Sequence, residues 1–236
     1  MLDVSAAQNG PLILLLAGPS GAGKTTLLQQ LHNGSLPKAV QDDLQHFQQA
    51  TLVEITNELR RRIRAEGLDS VTSRLTRIGA LIIHYDITSV YRFGLDSYEA
   101  DPGLEFINLG RQLLIVSILP SQERLLQQFD SRAKMRLLQK NRLHRFWRTR
   151  VAPPLRRVRS AMTGLTLRSE HELYKSKDWV STCYKTWQTF VSDIAARLPR
   201  VQAIYIEPYS DSANIYSFRK LPIREGNFSR YGEGVD

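Results

Sequence analysis

The feature that most constrains this sequence is a continuously apolar run that leads directly into a glycine-rich loop. Residues 12–17, LILLLA, carry no polar side chain, which is typical of a strand covered on both faces in a parallel sheet. Residues 18–25, GPSGAGKT, fit the pattern G-x-x-x-x-G-K-[ST]. From Thr25 onward leucines recur at helical spacing until the stop signal at 33–34. The sequence therefore predicts a central strand, a tight loop and a helix.

The loop has the composition of a phosphate-binding loop. Glycines permit backbone conformations and close approaches that side chains block, so successive amides can turn inward on a phosphate at the helix N-terminus. Lys24 is predicted to neutralise the β and γ phosphates of a nucleoside triphosphate, and Thr25 to place its hydroxyl on a magnesium ion. The predicted contact residues are Gly18, Pro19, Ser20, Gly21, Ala22, Gly23, Lys24, Thr25 and Thr26.

Further strands are predicted where other apolar runs occur. They are residues 80–86 (ALIIHYD), 113–119 (LLIVSIL) and 203–208 (AIYIEP). Residues 38–43 predict a short second strand that ends in two carboxylates, Asp42 and Asp43.

Helical patterns separate these strands. Apolar residues at spacings of three to five predict one amphipathic helix over 44–66, closed by Gly67. Ser121 is suited to cap the helix that follows it, which continues as a basic helical stretch to about Arg150. Further helices are predicted over 155–172 and 179–198. The sequence thus predicts an α/β fold, in which a parallel sheet is flanked by helices and carries a basic helical lid or insertion.

Strand, GPSGAGKT loop and helix together resemble the P-loop NTPase superfamily. Within it, the strand, Pro-Ser and helix at 113–128, followed by a basic stretch, are similar to the small-molecule and nucleotide kinases, including uridine-kinase-like enzymes. The resemblance implies a three-layer sandwich, Mg²⁺, and ATP as phosphoryl donor to a small-molecule acceptor. Motor and transporter ATPases usually carry a glutamate after the strand aspartate, where Ile87 stands here, and the sequence holds no LSGGQ-like or NKxD-like motif.

Asp86, at the end of the strand over 80–86, is the predicted second magnesium ligand. An acid at the carboxyl end of a neighbouring strand faces the bound phosphates. The alternative is that Asp86 caps the turn at 87–89. His84, two residues earlier on the same strand face, is interpreted as a core histidine.

The phosphoryl acceptor requires a group that orients and deprotonates its hydroxyl. Asp42 and Asp43 resemble the acidic pair that ends the second strand in uridine-kinase-like enzymes, and Asp42 is predicted to be the base. Asp43 is equally suited to cap a helix before LQHF. Residues 44–80 and 87–110, which are expected to recognise the acceptor, carry no pattern that identifies it.

The net charge of +9 is concentrated in one segment. Residues 132–159 contain eleven Lys or Arg and no Asp or Glu, so this segment accounts for more than the whole net charge. In a kinase-like lid, Arg145, Arg148 and Arg150 are predicted to stabilise the transferring phosphoryl group, because arginine presents fixed, forked donors. Arg156, Arg157 and Arg159 are further candidates.

Two alternatives remain for this segment. It is a solvated basic face on a long helix, or it binds a polyanion such as nucleic acid, with His144 and Trp147 as stacking groups. The second alternative corresponds to a different function, an NTP-hydrolysing switch or a nucleic-acid-associated ATPase.

The 236 residues are enough for a sizeable core without disulfides. We interpret 1–236 as one P-loop domain with the basic lid or insertion at 131–175. The single cysteine, Cys183, is expected to be buried. The apolar run at 11–17 is too short to cross a bilayer and has no signal-peptide pattern, so neither a membrane span nor a leader is predicted, and a cytoplasmic protein is expected.

Overall fold

A computed structural model describes residues 10–73, 79–92, 94–131, 173–210 and 216–221. Two compact units divide them. The first contains the described residues up to Leu119 and from Cys183 onward, and the second those from Pro120 to Thr182. None of the helices in these ranges is long and apolar enough to cross a bilayer. The first unit holds the sheet and the glycine-rich loop.

Six strands form one sheet in the first unit. They are β1 (Leu12–Gly18), β2 (Thr51–Glu54), β3 (Ala80–Asp86), β4 (Gln112–Ile118), β5 (Val201–Ser210) and β6 (Tyr216–Leu221). Their order in space is β2-β3-β1-β4-β5-β6. The first five strands run parallel, and β6 runs antiparallel to β5. The predicted α/β fold is therefore confirmed, with strands at all three further apolar runs, but the predicted parallel sheet also has an antiparallel strand, β6, that was not predicted.

β1 lies between β3 and β4, which explains its composition. Ile13, Leu15 and Leu16 are fully buried, because β1 has a strand on each edge and packed side chains on each face. In such a position a polar side chain without a hydrogen-bond partner destabilises the fold. Since β1, β3 and β4 run in the same direction, their carboxyl ends meet at one edge of the sheet.

The described chain contains helices on both sides of the sheet and in the second unit. They are α1 (Lys24–His32), α2 (Lys38–Leu44), α3 (Asn57–Glu66), α4 (Leu68–Thr72), α5 (Ser89–Arg92), α6 (122–131) and α7 (Lys177–Arg197), with 3-10 helices at Gln45–Phe47 and Pro102–Leu109. The helices predicted after the loop and over 179–198 are confirmed. The helix predicted over 155–172 lies outside the described residues.

The strand predicted at 38–43 is wrong, because these residues belong to α2. Val40 and Leu44, four residues apart, share one face of the helix and are fully buried. Asp42 and Asp43 therefore lie in the last turn of a helix and not at the end of a strand.

The single helix predicted over 44–66 is also wrong. This stretch contains a 3-10 helix, then β2, then α3. The Thr56 hydroxyl accepts a hydrogen bond from the Leu59 amide at 3.1 Å and starts α3. Gly67, with φ 80°, ends it as predicted. The apolar spacing that resembled one helix is shared between a strand and a shorter helix.

One face of the sheet, here called the α1 face, is covered by α1 and α2. Even-numbered residues of β1 point to this face, as alternation along a strand requires. The buried cluster includes Leu14, Leu16, Leu27, Leu31, Val40, Leu44, Ile82, Val116 and Ile206.

The opposite face carries an aromatic cluster. Tyr85 of β3 stacks on Trp187 of α7 with ring centroids 5.6 Å apart, and Tyr98 meets Trp187 edge-on at 5.0 Å. The Trp187 indole N–H donates to the Ser117 hydroxyl at 2.9 Å. Tyr98 lies in the stretch 87–110 expected to recognise an acceptor, but it is buried here as a core residue, as Tyr85 is.

The described residues of the second unit pack around Tyr174. The Gln122 side-chain amide of α6 donates to the Tyr174 backbone carbonyl at 2.8 Å. The Tyr174 ring lies 4.8 Å from the Phe129 ring and 5.3 Å from the Trp179 ring, centroid to centroid. Ser121 caps α6 as predicted, since its hydroxyl accepts from the Arg124 amide at 3.4 Å.

A buried ion pair joins α3 to the segment before the 3-10 helix at 102–109. Arg60 Nε lies 2.8 Å from Asp101 Oδ1, and Arg60 Nη2 lies 2.8 Å from Oδ2 and 2.6 Å from the Ser89 hydroxyl. Asp101 also accepts from the Tyr85 hydroxyl at 2.7 Å and from the Gly103 amide at 2.8 Å. The charges are buried but hydrogen-bonded, so the pair fixes α3, β3 and the 3-10 helix in one arrangement.

The environment of Asp101 makes this arrangement pH-dependent. Burial by itself raises the pKa of Asp101, but hydrogen bonds from Arg60 and Tyr85 outweigh burial and hold the pKa below its usual range. A carboxylate with a depressed folded-state pKa stabilises the fold fully above its unfolded-state pKa of about 4, and this stabilisation is lost as the pH falls through the folded-state value.

We expect Asp101→Asn to lower the free energy of unfolding by about 3–5 kcal/mol at pH 7, because Arg60 would remain buried without its counter-charge. Urea unfolding of the wild type, Asp101→Asn, Arg60→Met and the double variant measures this. The double variant should lose less than the sum of the single losses. The difference between wild type and Asp101→Asn should shrink below pH about 4. Additive losses would contradict direct coupling of the two side chains.

Candidate functional site

The glycine-rich loop connects the carboxyl end of β1 to α1. Gly21 and Gly23 have φ values of 85° and 97°, a region that favours glycine because it carries no Cβ. The Ala22 amide donates to the Pro19 carbonyl at 3.1 Å and closes a turn. Gly23 is the N-cap of α1. The spacing of the glycines thus corresponds to real backbone requirements of this turn.

Gly18 is required for a different reason, which is close packing against β4. A Cβ at this position would lie 2.6 Å from the Ile118 carbonyl oxygen and 3.1 Å from the Ala22 Cβ. The absence of a side chain lets the start of the loop lie directly beside the end of β4.

Lys24 folds back onto the loop that precedes it. Its Nζ donates to the Gly18 carbonyl at 2.6 Å and to the Pro19 carbonyl at 2.8 Å, and the residue is only 5% exposed. The two bonds hold the loop closed around the first turn of α1 and place a full positive charge within it.

The N-terminus of α1 reinforces this positive charge. Gly23 offers no side chain to cap the helix, and the first turn contains no acidic residue. The amides and the dipole at a helix N-terminus favour an anion there. Thr25, in the same turn, is exposed, and Thr26 is half-buried. The loop therefore presents amides, an ammonium and a hydroxyl on one short segment.

Asp86 lies beside the loop, as the sequence predicts for the end of an adjacent strand. Its Cα is paired in register with that of Gly18, and the Ile87 amide donates to the Gly18 carbonyl at 3.3 Å. Asp86 Oδ1 accepts from the Thr88 amide at 3.0 Å and from the Thr88 hydroxyl at 2.7 Å. The predicted turn-capping contact is therefore present, and the carboxylate sits at the edge of the sheet where the loop begins.

His84 lies on the α1 face, in register with Leu16 of β1. Burial, followed by the charge of Lys24, lowers the pKa of His84 to about 4, so the imidazole is neutral at neutral pH. Its Nε2 is buried without a hydrogen-bond partner. A core histidine was predicted, but His84 is only half-buried and its Nε2 is not satisfied by the protein.

Asp42 and Asp43 are not brought to the loop. Both line a cavity with Leu12, Gln112 and Val201, which are the first residues of β1, β4 and β5 in that order. Asp42 and Asp43 therefore line a cavity at the amino ends of these strands, whereas the loop follows the carboxyl end of β1. This placement removes the reason for assigning the acceptor base to Asp42.

The acid that ends the second strand is Glu54, which sequence reasoning missed. Glu54 is exposed and its Cα is paired in register with that of His84, two residues before Asp86. In-register residues of parallel strands point to the same face, so Glu54 and His84 share the α1 face. The β-branched residues of TLVE at 51–54 are a strand signal, but the longer helical spacing around them concealed it.

The predicted lid residues Arg145, Arg148 and Arg150 lie outside the described residues, as do Arg156, Arg157 and Arg159. Cys183 is buried as expected, and burial raises the pKa of its thiol to about 12. The thiol is therefore protonated at neutral pH and is a poor nucleophile.

Comparisons with known proteins give no family assignment. No protein-family model matches the chain, and no curated protein matches it. One solved structure, described as "Crystal structure of APE1195", is 16% identical, with the match covering 71% of this chain and 96% of that one at a TM-score of 0.32.

We expect Gly18→Ala to destabilise the protein by about 1–3 kcal/mol, since the new methyl group would overlap the Ile118 carbonyl. Gly79→Ala is the matched control, because a Cβ at Gly79 would meet no atom within 4 Å. Urea unfolding of both variants compares them. Equal stabilities would show that the loop does not depend on close contact with β4.

Proposed function

We propose that this chain is a P-loop phosphotransferase that moves the γ-phosphoryl group of ATP to a small-molecule hydroxyl with Mg²⁺. The observation that carries the proposal is the register between Gly18 and Asp86. It puts a phosphate-type loop and a carboxylate side by side at the carboxyl ends of adjacent parallel strands, where ligands of open α/β sheets bind.

The loop supplies the binding of the triphosphate. Its amides and the N-terminus of α1 attract phosphate oxygens, and Lys24 contributes the neutralising charge. The hydrogen bonds of Lys24 to the Gly18 and Pro19 carbonyls keep its ammonium inside the loop before a nucleotide arrives. A charge held in place loses little conformational entropy on binding.

The oxygen ligands near the loop suit magnesium. Thr25 offers an exposed hydroxyl and Asp86 a carboxylate, and Mg²⁺ prefers hard oxygen ligands while keeping several waters and substrate phosphate oxygens. Among the described residues no group of three or more His, Cys, Asp or Glu could hold a metal. A magnesium ion that is also bound by the oxygens of a triphosphate does not require such a group of protein ligands. When bound, it would neutralise charge on the phosphates.

Glu54 takes the role that the sequence prediction gave to Asp42. In the proposed reaction the acceptor oxygen forms a bond to the γ-phosphorus as the bond from that phosphorus to the β–γ bridging oxygen breaks. The acceptor proton passes to the Glu54 carboxylate, and ADP leaves with the bridging oxygen. Arg145, Arg148 and Arg150 remain candidates for stabilising the transferred group from the lid.

The first test is turnover of γ-labelled ATP with magnesium, alone and with pooled small metabolites. We expect label on a metabolite in the wild type and in Lys38→Ala, whose lysine is exposed on α2, and loss of both turnover and triphosphate binding in Lys24→Ala. Thermal unfolding of each variant confirms that it is folded. Tight triphosphate binding by Lys24→Ala would contradict the site assignment.

A second candidate function is an NTP-hydrolysing switch or nucleic-acid-associated ATPase. Eleven basic residues without an acid over 132–159 favour it. Label appearing only in free phosphate would support this function and overturn the kinase. Binding of duplex DNA through this segment should then weaken with salt, with a slope of about 0.9 per neutralised phosphate.

Mutation can separate the two roles considered for Asp86, which are binding of magnesium and capping of the turn at Thr88. Asp86→Asn keeps an acceptor oxygen for Thr88 but removes the charge, so we expect the magnesium concentration for half-maximal activity to rise by about tenfold or more. Thr88→Val removes the hydroxyl donor to Asp86 and should leave the magnesium titration unchanged. An unchanged titration in Asp86→Asn would show that the carboxylate only caps the turn.

A further inference from the structure

The cavity lined by Asp42 and Asp43 opens toward the amino end of the sheet, away from the glycine-rich loop. Its volume is about 580 Å³, within the roughly 300–1,000 Å³ typical of small-molecule pockets. The first residues of β1, β4 and β5 form its floor, and α2 with the 3-10 helix Gln45–Phe47 forms one wall. We call this cavity the amino-end cleft. Its lining does not overlap the proposed phosphate site.

The floor combines apolar and amide side chains. Leu12 is paired in register with Gln112, and Leu114 with Gln202, so alternation puts all four on the α1 face. Leu114 is buried, whereas Gln112 and Gln202 are exposed. The cleft therefore offers hydrogen-bonding amides above an apolar base.

The wall formed by α2 is acidic. Asp42 is exposed, and Asp43 lies 2.5 Å from Lys220 Nζ, which offsets its charge. His46, from the 3-10 helix, lines the same wall. Asp42 is therefore the carboxylate best placed to meet a cation in the cleft.

The rim on the strand side is basic. Arg111 and Arg200 precede β4 and β5, and both line the cleft. Within the described residues no ion pair joins Asp42 to either arginine, so the opposite charges are farther apart than the roughly 4 Å of an ion pair. The opposite charges thus stand apart on the lining of one cleft.

The segments that carry these arginines are fixed. The Arg111 amide donates to the Pro11 carbonyl at 3.0 Å, and the Arg200 carbonyl accepts from the Leu113 amide at 3.1 Å. Arg200 Nη1 also donates to the Gly110 carbonyl. A fixed backbone reduces the entropy lost when a ligand is bound.

We propose that the amino-end cleft binds a small zwitterion of the amino-acid type. Its ammonium would meet Asp42, its carboxylate would meet Arg111 and Arg200, and its side chain would lie over the floor. The charge of Asp42 disfavours a ligand that carries negative charge alone. The site is independent of the proposed ATP reaction and lies where a metabolite can bind without competing for the loop.

The test is a thermal unfolding series of the full chain with each of the twenty L-amino acids at about 10 mM, where a ligand with a Kd below this concentration raises the Tm. Acetate and methylamine, each with one of the two charges, are the matched probes. We expect at least one amino acid to raise the Tm and both single-charge probes to raise it less. No shift with any amino acid, or an equal shift with a single-charge probe, would overturn the proposal.

Calorimetric titration of the most effective amino acid into charge variants locates the site. Asp42→Asn and Arg111→Gln should each weaken the Kd by about tenfold, as expected for loss of one charge-assisted hydrogen bond. Asp69→Asn and Arg64→Gln, which neutralise exposed charges on α4 and α3, should bind as the wild type does. Lys24→Ala should also bind normally, which separates this proposal from the kinase. Unchanged affinity in both Asp42→Asn and Arg111→Gln would overturn the proposal that the amino-end cleft binds the zwitterion.

Discussion

The burial of β1 between β3 and β4 is the constraint on which the rest of the structure depends. A strand that is covered on both faces and paired on both edges does not accommodate polar side chains without hydrogen-bond partners along its length. Polar groups therefore appear where the strand ends. At the carboxyl end, Gly18 stands next to Asp86, and Lys24 donates back to the carbonyls of Gly18 and Pro19. The location of the candidate site thus follows from the packing of one strand.

The buried strands were predictable, and the edge strands β2 and β6 were not. The buried stretches of β1, β3 and β4 are apolar because they are covered on both faces, and the buried centre of β5, residues 204–206, was visible for the same reason. β2 exposes Leu52 and Glu54 at the side of the sheet, so its sequence lacks that pattern and merges with the helical spacing of its neighbours. The prediction of Asp42 as the acceptor base rested on the strand wrongly predicted at 38–43.

The residues of the candidate site were likewise predictable only in part. The glycine spacing, Lys24 and Asp86 were predictable because local backbone geometry and strand ends determine them. The position of Glu54 and the ion pair between Arg60 and Asp101 depend on residues far apart in the chain, 41 positions in the latter case. Arg60 looks like one of several helix arginines in the sequence, and only the fold shows that it is buried.

The short length of β2 affects how the molecule behaves toward other copies of itself. A strand at the side of a sheet presents backbone groups that can pair with another chain and start aggregation. With four residues, β2 extends only about 13 Å, and the exposed Glu54 carboxylate adds a repulsive charge. An approaching strand would gain few hydrogen bonds there. Glu54, which we propose as the acceptor of the substrate proton, would thus also help to prevent another chain from adding a strand at this edge of the sheet.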